Sequence, residues 1–80
     1  MVQLVAAANY WANRVYPEGL IENWLVADGT AVSANQPVAQ LRIEGELITL
    51  KAPAAGKLFI DVRKNSPIEP GTVVGHIGEQ

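Results

Sequence analysis

Apolar residues in this chain fall in short runs separated by turn-forming residues. Leu20-Ile21-Glu22-Asn23-Trp24-Leu25-Val26 lies between Gly19 and Asp28-Gly29, and Pro37-Val38-Ala39-Gln40-Leu41-Arg42-Ile43 runs up to Gly45. Leu47-Ile48-Thr49-Leu50 precedes Pro53, Lys57-Leu58-Phe59-Ile60-Asp61-Val62 lies between Gly56 and Ser66-Pro67, and Val73-Val74-Gly75-His76-Ile77 comes near the end. Short runs rich in valine, isoleucine and aromatics between turn residues predict strands. Polar and apolar residues alternate strictly along Gln40-Leu41-Arg42-Ile43-Glu44, the pattern of a strand with one buried face. Val2 to about Ala6 predicts a further strand, followed by an irregular aromatic loop. The alternative, a helix over Ala6 to Val15, rests on three consecutive alanines and is opposed by Tyr10, Trp11 and Pro17.

The runs repeat. With Gly19 placed over Gly56 (an offset of 37), Ile21 lies over Leu58 and Asn23 over Ile60. After one deletion the offset becomes 36, and Val32 lies over Ile68, Pro37 over Val73, Val38 over Val74, Ala39 over Gly75 and Leu41 over Ile77. Each half reads as glycine, strand, polar turn, apolar residue, short turn and second strand. Two copies of such a unit predict a pseudo-twofold all-β structure, because pairing the copies buries the apolar face that each alone would expose.

Composition narrows what such a structure can do. Eighty residues allow one small domain, and 49% apolar with 18% charged residues exclude a disordered chain. The absence of cysteine excludes disulfides, a thiolate zinc site and a thiol nucleophile. A net charge of -2 with six scattered basic residues points away from nucleic acid and from anionic membrane surfaces. No apolar run approaches the roughly 18 residues of a membrane span. The apolar N-terminal stretch has no basic residue before it, so no secretory signal is expected and a cytoplasmic protein is; a monomer is expected as well.

Candidate chemistry is sparse. Glu44 and Glu46 flank a turn, as an acidic contact point for a partner or as ordinary solubilising charges, and two carboxylates are too few for a specific metal site. His76 is a lone strand histidine at the position that Gln40 holds in the first half. Ser33 and Ser66 both fall in turns, so no nucleophile and base are paired, and no glycine spacing makes a phosphate loop. Tyr10, Trp11 and Tyr16 form an aromatic cluster that either caps one end of the core or anchors a partner. Trp24, inside a strand, is expected in the core. The chain is not expected to be an enzyme, since so small a domain encloses no pocket of convergent polar groups.

In their order and spacing these segments resemble the biotinyl/lipoyl attachment-domain family, over roughly three quarters of the chain. Glu18 to Val32, with Trp24-Leu25-Val26 leading to Asp28-Gly29, resembles the family's first-half signature. Pro37-Val38-Ala39-Gln40-Leu41 resembles the strand climbing to its modification hairpin, and Lys51-Ala52-Pro53-Ala54-Ala55-Gly56-Lys57-Leu58 the segment opening its second half. Asn65 to Val74 resembles the closing turn and strand. The resemblance implies a flattened barrel or sandwich of two small antiparallel sheets with quasi-twofold symmetry, a barrel-sandwich hybrid. Residues 1–17 would be the N-terminal strand and aromatic loop, 18–44 the first half, 45 the hairpin tip and 46–80 the second half.

The family carries lipoate or biotin on a lysine at that tip, about eleven residues before the glycine that opens the second half. Counting back from Gly56 gives Gly45, which has no amine to acylate, with Glu44 where lipoyl domains carry an aspartate. The three lysines are Lys51, Lys57 and Lys64. None has the neighbours of a ligase target, and sliding the alignment to use Lys51 breaks the match at Pro53 and Gly56. The resemblance therefore implies a variant without a cofactor that binds a protein partner. Candidate contacts are Glu44, Gly45, Glu46, Tyr10, Trp11 and Tyr16. Two alternatives stand beside it: a carrier acylated on an atypical lysine such as Lys51, and a lipoyl-like lobe of a larger assembly such as an export adaptor.

Overall fold

The computed structural model describes residues 2–12 and 18–78. Among the described residues eight strands run in chain order: β1 (Val2–Val5), β2 (Gly19–Trp24), β3 (Thr30–Val32), β4 (Pro37–Ile43), β5 (Glu46–Lys51), β6 (Gly56–Ile60), β7 (Pro67–Ile68) and β8 (Val73–Gly78). They form two antiparallel four-stranded sheets, ordered β1-β8-β6-β3 and β5-β4-β2-β7. The sheets stack as a flattened sandwich and do not close into a barrel. The Ala8–Trp11 segment, expected as an irregular loop, is a single 3-10 turn.

The two sheets are copies of one another. Exchanging β2 with β6, β3 with β7, β4 with β8 and β5 with β1 turns one strand order into the other. The register follows the same exchange. Ile21 opposite Leu41 matches Leu58 opposite Ile77, and Val32 opposite Gly56 matches Ile68 opposite Gly19. In both sheets the edge pairing skips one valine, Val38 between Pro37 and Ala39 and Val74 between Val73 and Gly75. Turn hydrogen bonds recur as well: Leu25 N–H donates to Val38 O as Asp61 N–H does to Val74 O, and Asn35 N–H donates to Ala52 O as Gly71 N–H does to Ala6 O.

Two features of this symmetry differ from the sequence expectation. Glu22 is a β-bulge, since Ile21 faces Leu41 while Asn23 faces Gln40. The extra residue is the physical cause of the change of offset, because a bulge sets two residues of one strand against one of its partner. Asn23 therefore corresponds to Phe59, opposite His76, and Trp24 rather than Asn23 corresponds to Ile60, opposite Gly75. The second difference is that the halves interleave. β3 of the first half sits in the sheet of β6 and β8, and β7 of the second half sits in the sheet of β2 and β4. β1 supplies the second sheet with the counterpart of β5, so the N-terminal strand is part of the repeat.

The core lies between the sheets. Ile21, Leu41, Ile43, Leu58, Val38 and Val74 are fully enclosed, and Leu4 joins them from β1. β4 shows how alternation is used: Leu41 and Ile43 are buried while Gln40 and Arg42 between them are half-exposed. Trp11 is the buried tryptophan, and its indole N–H donates to Glu18 O at 3.2 Å. Trp24, expected in the core, is half-buried against it and donates to Val62 O at 2.9 Å. Both indole nitrogens are thus satisfied while the rings cover apolar surface. Leu41→Ala, which empties the centre of one sheet, is expected to destabilise by about 2–5 kcal/mol. Urea titration followed by tryptophan fluorescence measures it, and Leu47→Ala, at a residue 46% exposed, is the control with little change.

Candidate functional site

The joint of the two halves is a two-residue hairpin. Ile43 on β4 faces Glu46 on β5, and Glu44 and Gly45 connect them with φ of 49° and 79°. Two successive positive φ values are what a type I′ turn requires, and that turn's twist matches the strands it joins. A glycine second residue suits it because glycine has no Cβ to clash there. Glu44, Gly45 and Glu46 are all exposed, and a Cβ placed on Gly45 would meet nothing within 4 Å. The tip is open to any partner that approaches, and its backbone is held by Arg42, whose guanidinium donates to Gly45 O at 3.2 Å. Arg42 is itself held by Glu22 at 2.6 Å.

Beside the tip lies an open groove of ≈ 580 Å³. Glu18, Leu20, Arg42 and Glu44 line one part of it, and Asn65, Pro67, Ile68 and Glu69 from the second half line the other. The groove exists because of the interleaving: β7 pairs with β2, with Gly19 opposite Ile68 and Leu20 opposite Pro67, which carries the 65–69 turn alongside the hairpin. Trp11 underlies it. A Cβ on Gly19 would lie 3.1 Å from the Trp11 ring and 3.1 Å from Ile43, so the glycine leaves the space the indole fills.

The expected contact residues are thus distributed. Glu44 and Gly45 meet the groove, with Glu46 next in the hairpin. Trp11 is buried beneath it, Tyr10 is half-buried against the core, and Tyr16 lies outside the described residues. Sequence reasoning missed Glu18, Leu20, Arg42, Asn65 and the Pro67–Glu69 segment. Alternation already aimed Arg42 outward, but which turn came to lie beside it depended on a pairing between halves that no local pattern encodes.

No lysine stands at the tip. Lys51 ends β5 opposite Pro37, roughly 16 Å along the strand from Glu46 at about 3.3 Å per residue. Lys57 faces Ala31 and Gly78 in the other sheet, and Lys64 is in the exposed turn before Asn65. The residues at the tip therefore do not fit a lipoyl or biotinyl group, which needs an amine at the bend. His76 pairs with Asp61 at 2.9 Å and stacks on Phe59 with ring centroids 5.1 Å apart, an arrangement that ties β8 to the end of β6. Among the described residues no group of three His, Asp or Glu is placed to hold a metal ion. Among them, too, no helix is long and apolar enough to cross a membrane. No protein-family model matches the chain, and no curated protein matches it either.

Proposed function

We propose that this chain is a non-acylated relative of the biotinyl/lipoyl attachment domains and acts as a protein-binding or scaffold module, presenting its hairpin tip and the adjoining groove to a partner protein. The observation that carries the reading is Gly45 at the apex of an exposed two-residue turn, at the junction of two copies of one β unit. A carrier needs a projecting bend with a nucleophilic amine; here the bend projects and the amine is missing. What remains useful is the shape, which can occupy the docking surface of enzymes that serve true carriers of 2-oxo-acid dehydrogenase or biotin carboxylase systems. The same reading makes the module a cytoplasmic monomer without enzymatic activity of its own.

The location of Lys51 at the far end of β5 counts against acylation there. The direct joining of the halves through Glu44 and Gly45 counts against an export-adaptor lobe, whose halves are split by a long insertion. Co-expression with lipoate ligase and biotin ligase, followed by intact-mass measurement, tests the proposal. The expected result is the unmodified mass. A stoichiometric lipoyl or biotinyl adduct on Lys51, Lys57 or Lys64 would overturn it.

A further inference from the structure

The outward face of the β5-β4-β2-β7 sheet carries an apolar row where polar residues are the norm. Register sets Leu47, Arg42, Leu20 and Pro67 side by side across all four strands. Directly opposed residues share a face of the sheet. The next row inward, Ile48, Leu41 and Ile21, faces the core, so the first row faces solvent. A one-sided antiparallel sheet ordinarily places polar side chains outside. Here three of the four are apolar, and three members of the row, Leu20, Arg42 and Pro67, floor the groove beside the tip.

The rim has the opposite character. Glu18, Glu44 and Glu69 line the groove and are exposed, and Glu22 lies against Arg42 at 2.6 Å. Among the described residues Arg42 is the one cation of the groove lining, and its partner Glu22 lies outside that lining. The edge of the sheet does not invite an added strand. Ile21 N–H donates to Ser66 O, so position 66 turns toward β2 and position 67 away from it. Position 67 is proline, which offers no N–H to an incoming strand. An occupant must engage the groove through side chains.

We infer that the groove receives a segment of a partner protein in which apolar side chains are flanked by lysine or arginine. The apolar groups cover Leu20 and Pro67, and the cations face Glu18 and Glu69. The inference deepens the scaffold reading above and rests on it, by naming the chemistry of the partner. Affinity for a short segment is modest and sensitive to salt, because exposed charges a Debye length apart are screened. The acidic rim chiefly selects the partner and speeds its arrival.

The test uses the full chain labelled with ¹⁵N and three capped hexapeptides: Lys-Leu-Lys-Ala-Leu-Lys and versions with glutamate or serine at every lysine position. The lysine peptide is expected to shift the amides of Leu20, Arg42, Gly45 and Ile68. Its affinity should fall several-fold between about 20 mM and about 200 mM salt. The Glu18→Lys/Glu69→Lys double variant, altered only at exposed positions, should keep a folded spectrum and lose about tenfold in affinity for the lysine peptide. Absence of shifts, equal shifts with the glutamate peptide, shifts scattered over both sheets, or unchanged affinity in the double variant would each overturn the inference. Such failure leaves the mass measurement above untouched, and an acyl adduct found there would sink the scaffold reading whatever the peptides do.

Discussion

Gly56→Ala is expected to leave the chain unfolded at room temperature. A Cβ at this position would overlap Gly78 O and lie 2.6 Å from Ile77 Cγ2, and Gly56 has φ of +154°. Both contacts are on β8, which is held to β6 through Lys57 opposite Gly78 and Leu58 opposite Ile77. Relief requires moving a backbone carbonyl inside a paired ladder, which opens the centre of one sheet. A chain of this length has about 4–12 kcal/mol of stability in total, so losing this pairing exhausts it. The symmetry supplies the control. Gly19 occupies the equivalent place, but its hypothetical Cβ meets the side chains of Ile43 and Trp11 at 3.1 Å. Gly19→Ala should therefore fold with reduced stability. Dispersion of the amide spectrum and far-ultraviolet circular dichroism read both outcomes; a well-folded Gly56→Ala variant would contradict the observed approach of β6 to β8.

The second large effect is a gain. Gly45→Lys is expected to turn an inert chain into a substrate of lipoate or biotin ligase, visible as a mass increase that the parent chain lacks. A Cβ at this position meets nothing within 4 Å, so no neighbour blocks the start of the new side chain. Its cost is the positive φ of 79°, about 1–2 kcal/mol for a residue with a Cβ. Glu44 before it supplies an acidic neighbour of the kind found beside the lysine in lipoyl domains. Peptide mapping should place the adduct at position 45 and leave Lys51 unmodified. If the variant folds and neither ligase acts on it, the tip has no kinship with carrier domains and the proposed function loses its foundation.

Much of the architecture was legible before any coordinates. Five apolar runs became β2, β4, β5, β6 and β8, with β4 matching its run from Pro37 to Ile43. Runs bounded by turn residues mark strands because each must expose a hydrogen-bonding edge and bury a face. β3 and β7 were visible only as the isolated apolar residues Val32 and Ile68, because strands this short contain no periodicity to detect. The family resemblance placed the tip at position 45 by its spacing from Gly56, and Glu44 and Gly45 do form a turn there. The groove was not legible: Leu20 and Arg42 are neighbours only through the β2–β4 register, and Pro67 joins them only through the β2–β7 pairing. The tryptophans show the same limit. Trp11 in a turn is buried because the space over Gly19 admits its ring, whereas Trp24 in a strand is only half-covered.

Local chemistry in the chain thus decided where strands begin and end, that the unit occurs twice, and that no amine stands at the bend between the copies. Those properties depend on neighbouring residues and on counting. The folded molecule alone decided that the copies exchange β3 and β7, that β1 completes the second sheet, and that an apolar row with an acidic rim lies beside the tip. Pairing between distant strands is selected by burial of the whole core, a cooperative property that no short segment carries by itself.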